Sequence, residues 1–214
     1  MQNTFDKVCL HLLKQGRRAL EDGMWCAFKA PNGDMCAAGC LIKNYDPEME
    51  GFSVVFNEPV QKDLREQGHD IDLVIRLQRI HDGVLPDNWP KALLDLAYEL
   101  KLAVPQQLTF QFVALEMIKQ GRRAVNNDGR CAYRGRNGDK CAAGHLIPDE
   151  KYQPEYEGRA CLNSPVGPLI ASLGHSVDLA RALQCVHDGY EPNEWQPQLK
   201  RTGLSYELDV TFLN

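Results

Sequence analysis

Cysteine and histidine residues supply the most reactive chemistry in this chain, and they fall into two sets: Cys26, Cys36, Cys40 and His81, then Cys131, Cys141, His145 and His187. Thiolate sulfur and imidazole nitrogen are zinc ligands, and the exchange of Cys40 for His145 keeps a zinc-competent atom at that place. The spacing argues the other way, because nine residues separate Cys26 from Cys36, whereas paired zinc knuckles use tight Cys-x2–4-Cys pairs. A second chemistry is nucleophilic, with Cys36 beside His81 and Asp82, and Cys141 beside His187 and Asp188, on the pattern of a thiolate activated by an oriented histidine. Neighbouring side chains at a helix end point to different faces, so the adjacent His and Asp are not expected to form a base–orienter pair. The plainest reading is that these thiols are small core residues, with no metal or other cofactor, and zinc is the alternative.

The third candidate chemistry is ionic. Lys119, Arg122, Arg123, Arg130, Arg134, Arg136 and Lys140, interleaved with Tyr133, form a basic stretch in the second half. Guanidinium groups there suit a phosphate, a nucleic-acid strand or an acidic protein face. The first half has Trp25, Lys29, Pro31 and Met35 where the second has Arg130, Arg134, Arg136 and Lys140, so the halves differ most at this point.

The elements that position these residues occur twice. Lys14-Gln15-Gly16-Arg17-Arg18-Ala19 returns as Lys119-Gln120-Gly121-Arg122-Arg123-Ala124, and Phe5, Gly51 and His81 match Phe110, Gly158 and His187. A period of about 100 residues fits two concatenated domains and not a solenoid, so we expect units 1–104 and 105–214. Phe5, Val8, Cys9, Leu12 and Leu13, like Phe110, Val113, Ala114 and Met117, carry the spacing of an amphipathic helix. Gly16 and Gly121 within that pattern suggest a close approach by another backbone, and the arginines after them suit the negative end of the helix dipole. Asn32-Gly33 and Asn137-Gly138 between short apolar runs predict β-hairpins. The small residues of Cys36-Ala37-Ala38-Gly39 and Cys141-Ala142-Ala143-Gly144 must meet something tightly, while Tyr45–Gly51 and Tyr152–Gly158 read as acidic loops.

Further amphipathic helices end at His81-Asp82-Gly83 and His187-Asp188-Gly189, and Trp89 and Trp195 look like core anchors ahead of a closing helix. In the second half Thr202-Gly203 is expected to interrupt that helix. The fold class is therefore α+β: two tandem, mainly helical repeats, each a helix, a β-hairpin and two to three further helices.

The run Cys131-Ala132-Tyr133-Arg134-Gly135, then Gly138-Asp139-Lys140-Cys141-Ala142-Ala143-Gly144 with Leu146-Ile147-Pro148-Asp149-Glu150, resembles a motif of an uncharacterised family of small bacterial and tailed-phage proteins. The helix ending in His-Asp before a Trp adds to the likeness, which covers both halves. His145 departs from the pattern, in which a cysteine such as Cys40 stands. The resemblance implies a phage or prophage setting, hence the host-cell cytoplasm, and brings no activity with it.

Composition narrows the function classes. The chain has 214 residues and a net charge of −5, which disfavours generic nucleic-acid binding, since that binding runs on cation-for-counterion exchange at phosphates. No stretch reaches the roughly 18 apolar residues of a membrane span, and no signal-peptide pattern opens the chain, so the expected compartment is cytoplasmic and the eight cysteines are read as thiols or ligands. There is no glycine-rich phosphate loop and no βαβ alternation. These features lead to the expectation of a non-enzymatic binding or inhibitory protein, able to oligomerise, that engages a host protein or phosphate-bearing ligand partly through the basic hairpin. The alternative is a cysteine- or zinc-dependent enzyme acting at Cys36 and His81 or at Cys141 and His187.

Overall fold

The computed structural model describes residues 1–214 and divides into two compact units, Met1–Leu96 and Ala97–Asn214. It is mainly helical with one two-stranded antiparallel sheet, an α+β arrangement. The division falls within a helix, earlier than the proline-marked boundary expected near Ala103, because Tyr98 at the helix end belongs with the second unit. Its hydroxyl donates to the Leu146 carbonyl at 2.9 Å and meets His175 Nε2 at 2.6 Å. No helix is long and apolar enough to cross a membrane.

The first unit opens with α1 (Gln2–Gln15), which buries Phe5, Val8, Cys9, Leu12 and Leu13; the second has the matching α5 (Gln106–Gln120). Gly16 and Gly121 stop these helices at φ 65° and 63°, each returning its N–H to a carbonyl of the last turn. A side chain at Gly16 would meet nothing within 4 Å, so the expected close backbone approach is absent and the left-handed cap is the reason for glycine. The arginines that follow therefore lie beyond the helix: Arg17 and Arg122 each grip one carboxylate, Asp34 and Asp139.

After the cap, β1 (Leu20–Glu21) pairs with β2 (Trp25–Cys26) around Asp22-Gly23-Met24. The expected Asn-Gly hairpin is reduced to a single bridge, Lys29 to Met35, since Asn32 folds its side chain onto the Asp34 N–H at 3.1 Å and Asp34 turns to Arg17. In the second unit only Val125 and Cys131 bridge. The small-residue segment becomes a single turn, Gly39–Leu41, in the first unit and the short helix α6 (Ala142–Leu146) in the second. Its glycines sit against the preceding backbone: an added Cβ would lie 1.8 Å from the Phe28 carbonyl oxygen at Gly39 and 2.4 Å from that of Tyr133 at Gly144.

The acidic loops act as clamps. Glu50 accepts the N–H groups of Phe28 and Lys29, both at 2.9 Å, and the Tyr45 hydroxyl. Glu157 accepts the same three donors from Tyr133, Arg134 and Tyr152. The helices α2 (Glu58–Glu66) and α3 (Ile71–Gly83), with the first part of α4 (Trp89–Leu100), complete one unit, and α7 (Val166–Ser172), α8 (Val177–Gly189) and α9 (Trp195–Ser205) the other. Asp70 caps α3 and Ser176 caps α8 through the Leu73 and Leu179 N–H groups. Contrary to the expected interruption, α9 runs through Thr202-Gly203, because Gly203 leaves room for Phe110 and Val210.

Candidate functional site

The last turn of α3 carries Gln78, His81 and Asp82, and the last turn of α8 carries Gln184, His187 and Asp188. Both histidines are fully buried. Each lies parallel to a tryptophan, Trp89 at 5.4 Å and Trp195 at 5.3 Å between ring centres, and both indoles are 1% exposed, as core anchors should be. The Asp82 carboxylate folds back to its neighbour, Oδ1 lying 2.8 Å from His81 Nδ1, and Asp188 does the same to His187 at 2.9 Å. This overturns the expectation that adjacent His and Asp cannot pair: Nδ1 is the ring nitrogen nearest its own backbone, so a short neighbouring carboxylate reaches it.

Cys26, and not Cys36, is the thiol that joins them. Its Sγ lies 3.1 Å from His81 Nδ1 and 2.7 Å from Asp82 Oδ1, and Gln78 donates to the same oxygen at 2.7 Å. Gln78 is itself fixed by the Ala38 N–H at 3.0 Å. In the second unit Cys131 Sγ lies 3.7 Å from His187 Nδ1, and Gln184 donates both to that sulfur and to Asp188 Oδ1. The glutamines were not singled out from sequence, although their i, i+4 spacing to each aspartate puts the pair on one helix face.

The other face of each imidazole decides the chemistry. The Ala19 N–H donates to His81 Nε2 at 3.1 Å, and the Ala124 N–H to His187 Nε2 at 3.2 Å. An accepting Nε2 leaves the proton on Nδ1, so Nδ1 donates to the carboxylate and has no lone pair for a metal or for a thiol proton. Protonating Nε2 as well would set two hydrogens against each other.

The thiols are correspondingly unactivated. Burial, then the Asp82 carboxylate, pushes the Cys26 pKa up; the Cys141 thiol, then burial, does so for Cys131. Burial alone works against ionised Asp82, but the bonds from His81, Cys26 and Gln78 outweigh it and hold the carboxyl below its usual range. A zinc shell also fits poorly on distance. Bonds of about 2.0–2.3 Å at tetrahedral angles set ligand atoms roughly 3.4 Å or more apart, whereas the first cluster spans 2.7 to 3.1 Å. Of the other ligands considered, Cys36 and Cys141 are buried and accept the N–H of Gly39 and Gly144, while Cys40 donates to the Ala37 carbonyl. His145 stands edge-on to Phe112, away from the cluster.

All of each cluster except its buried histidine lines a cavity. The first, about 430 Å³, is lined by Cys26, Cys36, Gln78 and Asp82 below and by Glu21, Trp25, Phe28 and Phe52 at the walls. The second, about 620 Å³, has Cys131, Cys141, Gln184 and Asp188 below, with Tyr133, Arg159, Cys161, Arg181 and Cys185 around it. Both volumes lie in the range of small-molecule sites.

Most of the basic stretch is engaged within the second unit. Arg122 holds Asp139, Arg123 the Tyr190 carbonyl and Glu191, and Lys140 holds Asp149. Arg134 donates to the carbonyls of Gly144 and Ile147 and to Asp149, with its guanidinium 4.8 Å from the Tyr152 ring centre. Tyr133 is buried, its hydroxyl on the Arg159 carbonyl. Lys119, at 4.0 Å from Glu116, and Arg130 and Arg136, with no side-chain partner, face outward. The arginines at the second cavity are Arg159 and Arg181, outside the basic stretch; each is a single cation in its segment, Arg159 just after Glu157 and Arg181 one helical turn from Asp178, so no basic run marks it. The chain matches no protein-family model, no curated protein and no solved structure.

Proposed function

We propose that the chain is a non-enzymatic binding protein formed by duplication of one unit, and that its second cavity takes a phosphate-bearing ligand. The observation that carries this reading is the state of two arginines at that cavity: Arg181 makes no hydrogen bond or ion pair, and Arg159 reaches only the Glu155 carbonyl at 3.4 Å. Guanidinium forks free of carboxylates suit phosphate oxygens. Asp188 on the floor gives the ligand an orientation, with the phosphate at the arginines and an N–H or O–H group turned inward. Protonated thiols and histidines without a free basic nitrogen support binding over catalysis, and the paired clusters and clamps support duplication. The family resemblance adds a host-cytoplasm setting, with a host molecule as the source of the phosphate.

Calorimetric titration of the full chain with inorganic pyrophosphate and with AMP tests this. The expected result is saturable binding at one site, lost when Arg159 and Arg181 are both changed to serine in a chain whose thermal unfolding is unaltered. Absence of saturable binding by either probe, or its survival in the double variant, would sink the reading.

A further inference from the structure

The first cavity repeats the floor of the second with walls of opposite character. Its lining contains two carboxylates, Glu21 and Asp82, and three aromatic rings, Trp25, Phe28 and Phe52, and no lysine, arginine or histidine. Neither carboxylate pairs with a lysine or arginine, and Asp82 presents its hydrogen-bonding capacity through one oxygen only, Oδ1, to His81, Cys26 and Gln78. Its second oxygen carries no bond, and 41% of the side chain is exposed at the cavity. Two carboxylates without a lysine or arginine partner in a concave, partly apolar site favour a cation.

The aromatic rings point the same way. Trp25 is 71% and Phe52 65% exposed at the cavity, with Met24 and Phe56 exposed beside them in the chain. Exposed aromatic rings lining a cavity are the kind of apolar surface that marks an interaction site. The fold does not require it: the second unit builds the same clamp and the same floor with Asn126, Arg130 and Arg159 where the first has Glu21, Trp25 and Phe52. The residues that differ are thus the ones that set what the cavity accepts. Ring faces attract ammonium ions through their quadrupole, and alkyl chains lie well on indole and phenyl surfaces.

We propose that the first cavity binds an organic ammonium group, with the charge at Asp82 and Glu21 and the attached alkyl chain against Trp25 and Phe52. A free polyamine and a lysine side chain of a partner protein share this chemistry. Hard metal cations are poorer candidates, since two carboxylates beside aromatic walls supply fewer oxygen ligands than such ions take.

Trp89 and Trp195 are buried, so a change in tryptophan emission on binding reports Trp25. The full chain would be titrated at constant ionic strength with spermidine, with tetramethylammonium and with a neutral-ended peptide holding one lysine, by fluorescence and by calorimetry. Sodium chloride serves as the control. The expected outcome is saturable binding of at least one probe, weakened at least about tenfold when Glu21 becomes asparagine and Phe52 becomes arginine, the residues of the second unit. Both side chains are exposed, so the variant keeps its fold, and its unfolding temperature verifies this. Tighter spermidine than peptide assigns a free polyamine, and the reverse assigns a protein lysine. No saturable binding by any probe, or binding unchanged in the Glu21→Asn/Phe52→Arg chain, overturns the proposal. Ammonium binding is also expected to persist in the Arg159→Ser/Arg181→Ser chain, so this site and the phosphate site stand or fall separately.

Discussion

Ala19 donates its backbone N–H to Nε2 of His81 at 3.1 Å, tying the chain just beyond α1 to the last turn of α3. One hydrogen bond thereby fixes the histidine tautomer, turns the Nδ1–H toward the Asp82 carboxylate, and leaves Cys26 without a free imidazole nitrogen to take its proton. Ala124 and His187 repeat the arrangement.

Thiol reactivity and metal content follow from that tautomer. Cys26 and Cys131 are exposed, yet at pH 7.5 they are expected to alkylate with iodoacetamide more slowly than a free cysteine, because the thiolate is disfavoured. Dialysis against EDTA is expected to leave the unfolding temperature unchanged. Peptide mapping of the alkylated chain and a calorimetric scan check the two halves of the prediction; rapid labelling or an EDTA-sensitive transition would count against the assigned proton positions.

Gly144→Ala is expected to destabilise the second unit by ~3 kcal/mol, since the new methyl lands on a backbone carbonyl that cannot swing away as a flexible side chain would. Gly189→Ala, where a Cβ meets nothing, is the control and should stay within ~0.5 kcal/mol of the parent. Urea unfolding of both variants decides it.

Acid should destabilise the second unit before the carboxylates titrate. Burial lowers the His175 pKa to about 4 and the His145 pKa to about 3, with the charge of Lys140 adding to the latter. The unfolded chain takes up these protons near pH 6.5, while the folded one does not until much lower pH. The associated stability is therefore complete above about pH 6.5 and falls as pH drops toward 4, by about 2 kcal/mol per histidine at pH 5. Unfolding midpoints measured from pH 7 to pH 5 test the sign. His145 Nε2 is also buried without a partner, so His145→Cys, the residue of the first unit at that place, should stabilise by about 1 kcal/mol and flatten the pH slope.

Helices and their stops were legible in the sequence because apolar periodicity and capping residues are local: α1, α3, α5 and α8 end where glycine or the His-Asp-Gly runs mark them. Trp89 and Trp195 could be read as core for the same reason. The site was legible in part. His81 and His187 stood out by residue type, but which thiol each would meet depends on how residues 20–26 fold back, and that register is set by the Asp22-Gly23 turn and not by the stronger Asn-Gly signal. The cations of the basic stretch looked available because sequence shows charge and hides partners; Asp139 and Asp149 take three of them, Arg122, Arg134 and Lys140. Phe52 and Arg159 bore no pattern at all, since their meaning comes from the cavity they border.

Those two residues follow immediately after the clamps. Glu50 and Glu157 lock the base of each loop to the backbone of residues 28–29 and 133–134, so the wall at 51–54 or 158–162 hangs from a fixed frame. A frame that does not depend on its wall would let one unit change what its cavity accepts while the other stays as it is. The same separation makes the wall an exchangeable cassette: grafting one loop tip onto the other unit should move ligand preference with it and leave the unfolding temperature of the recipient nearly where it was.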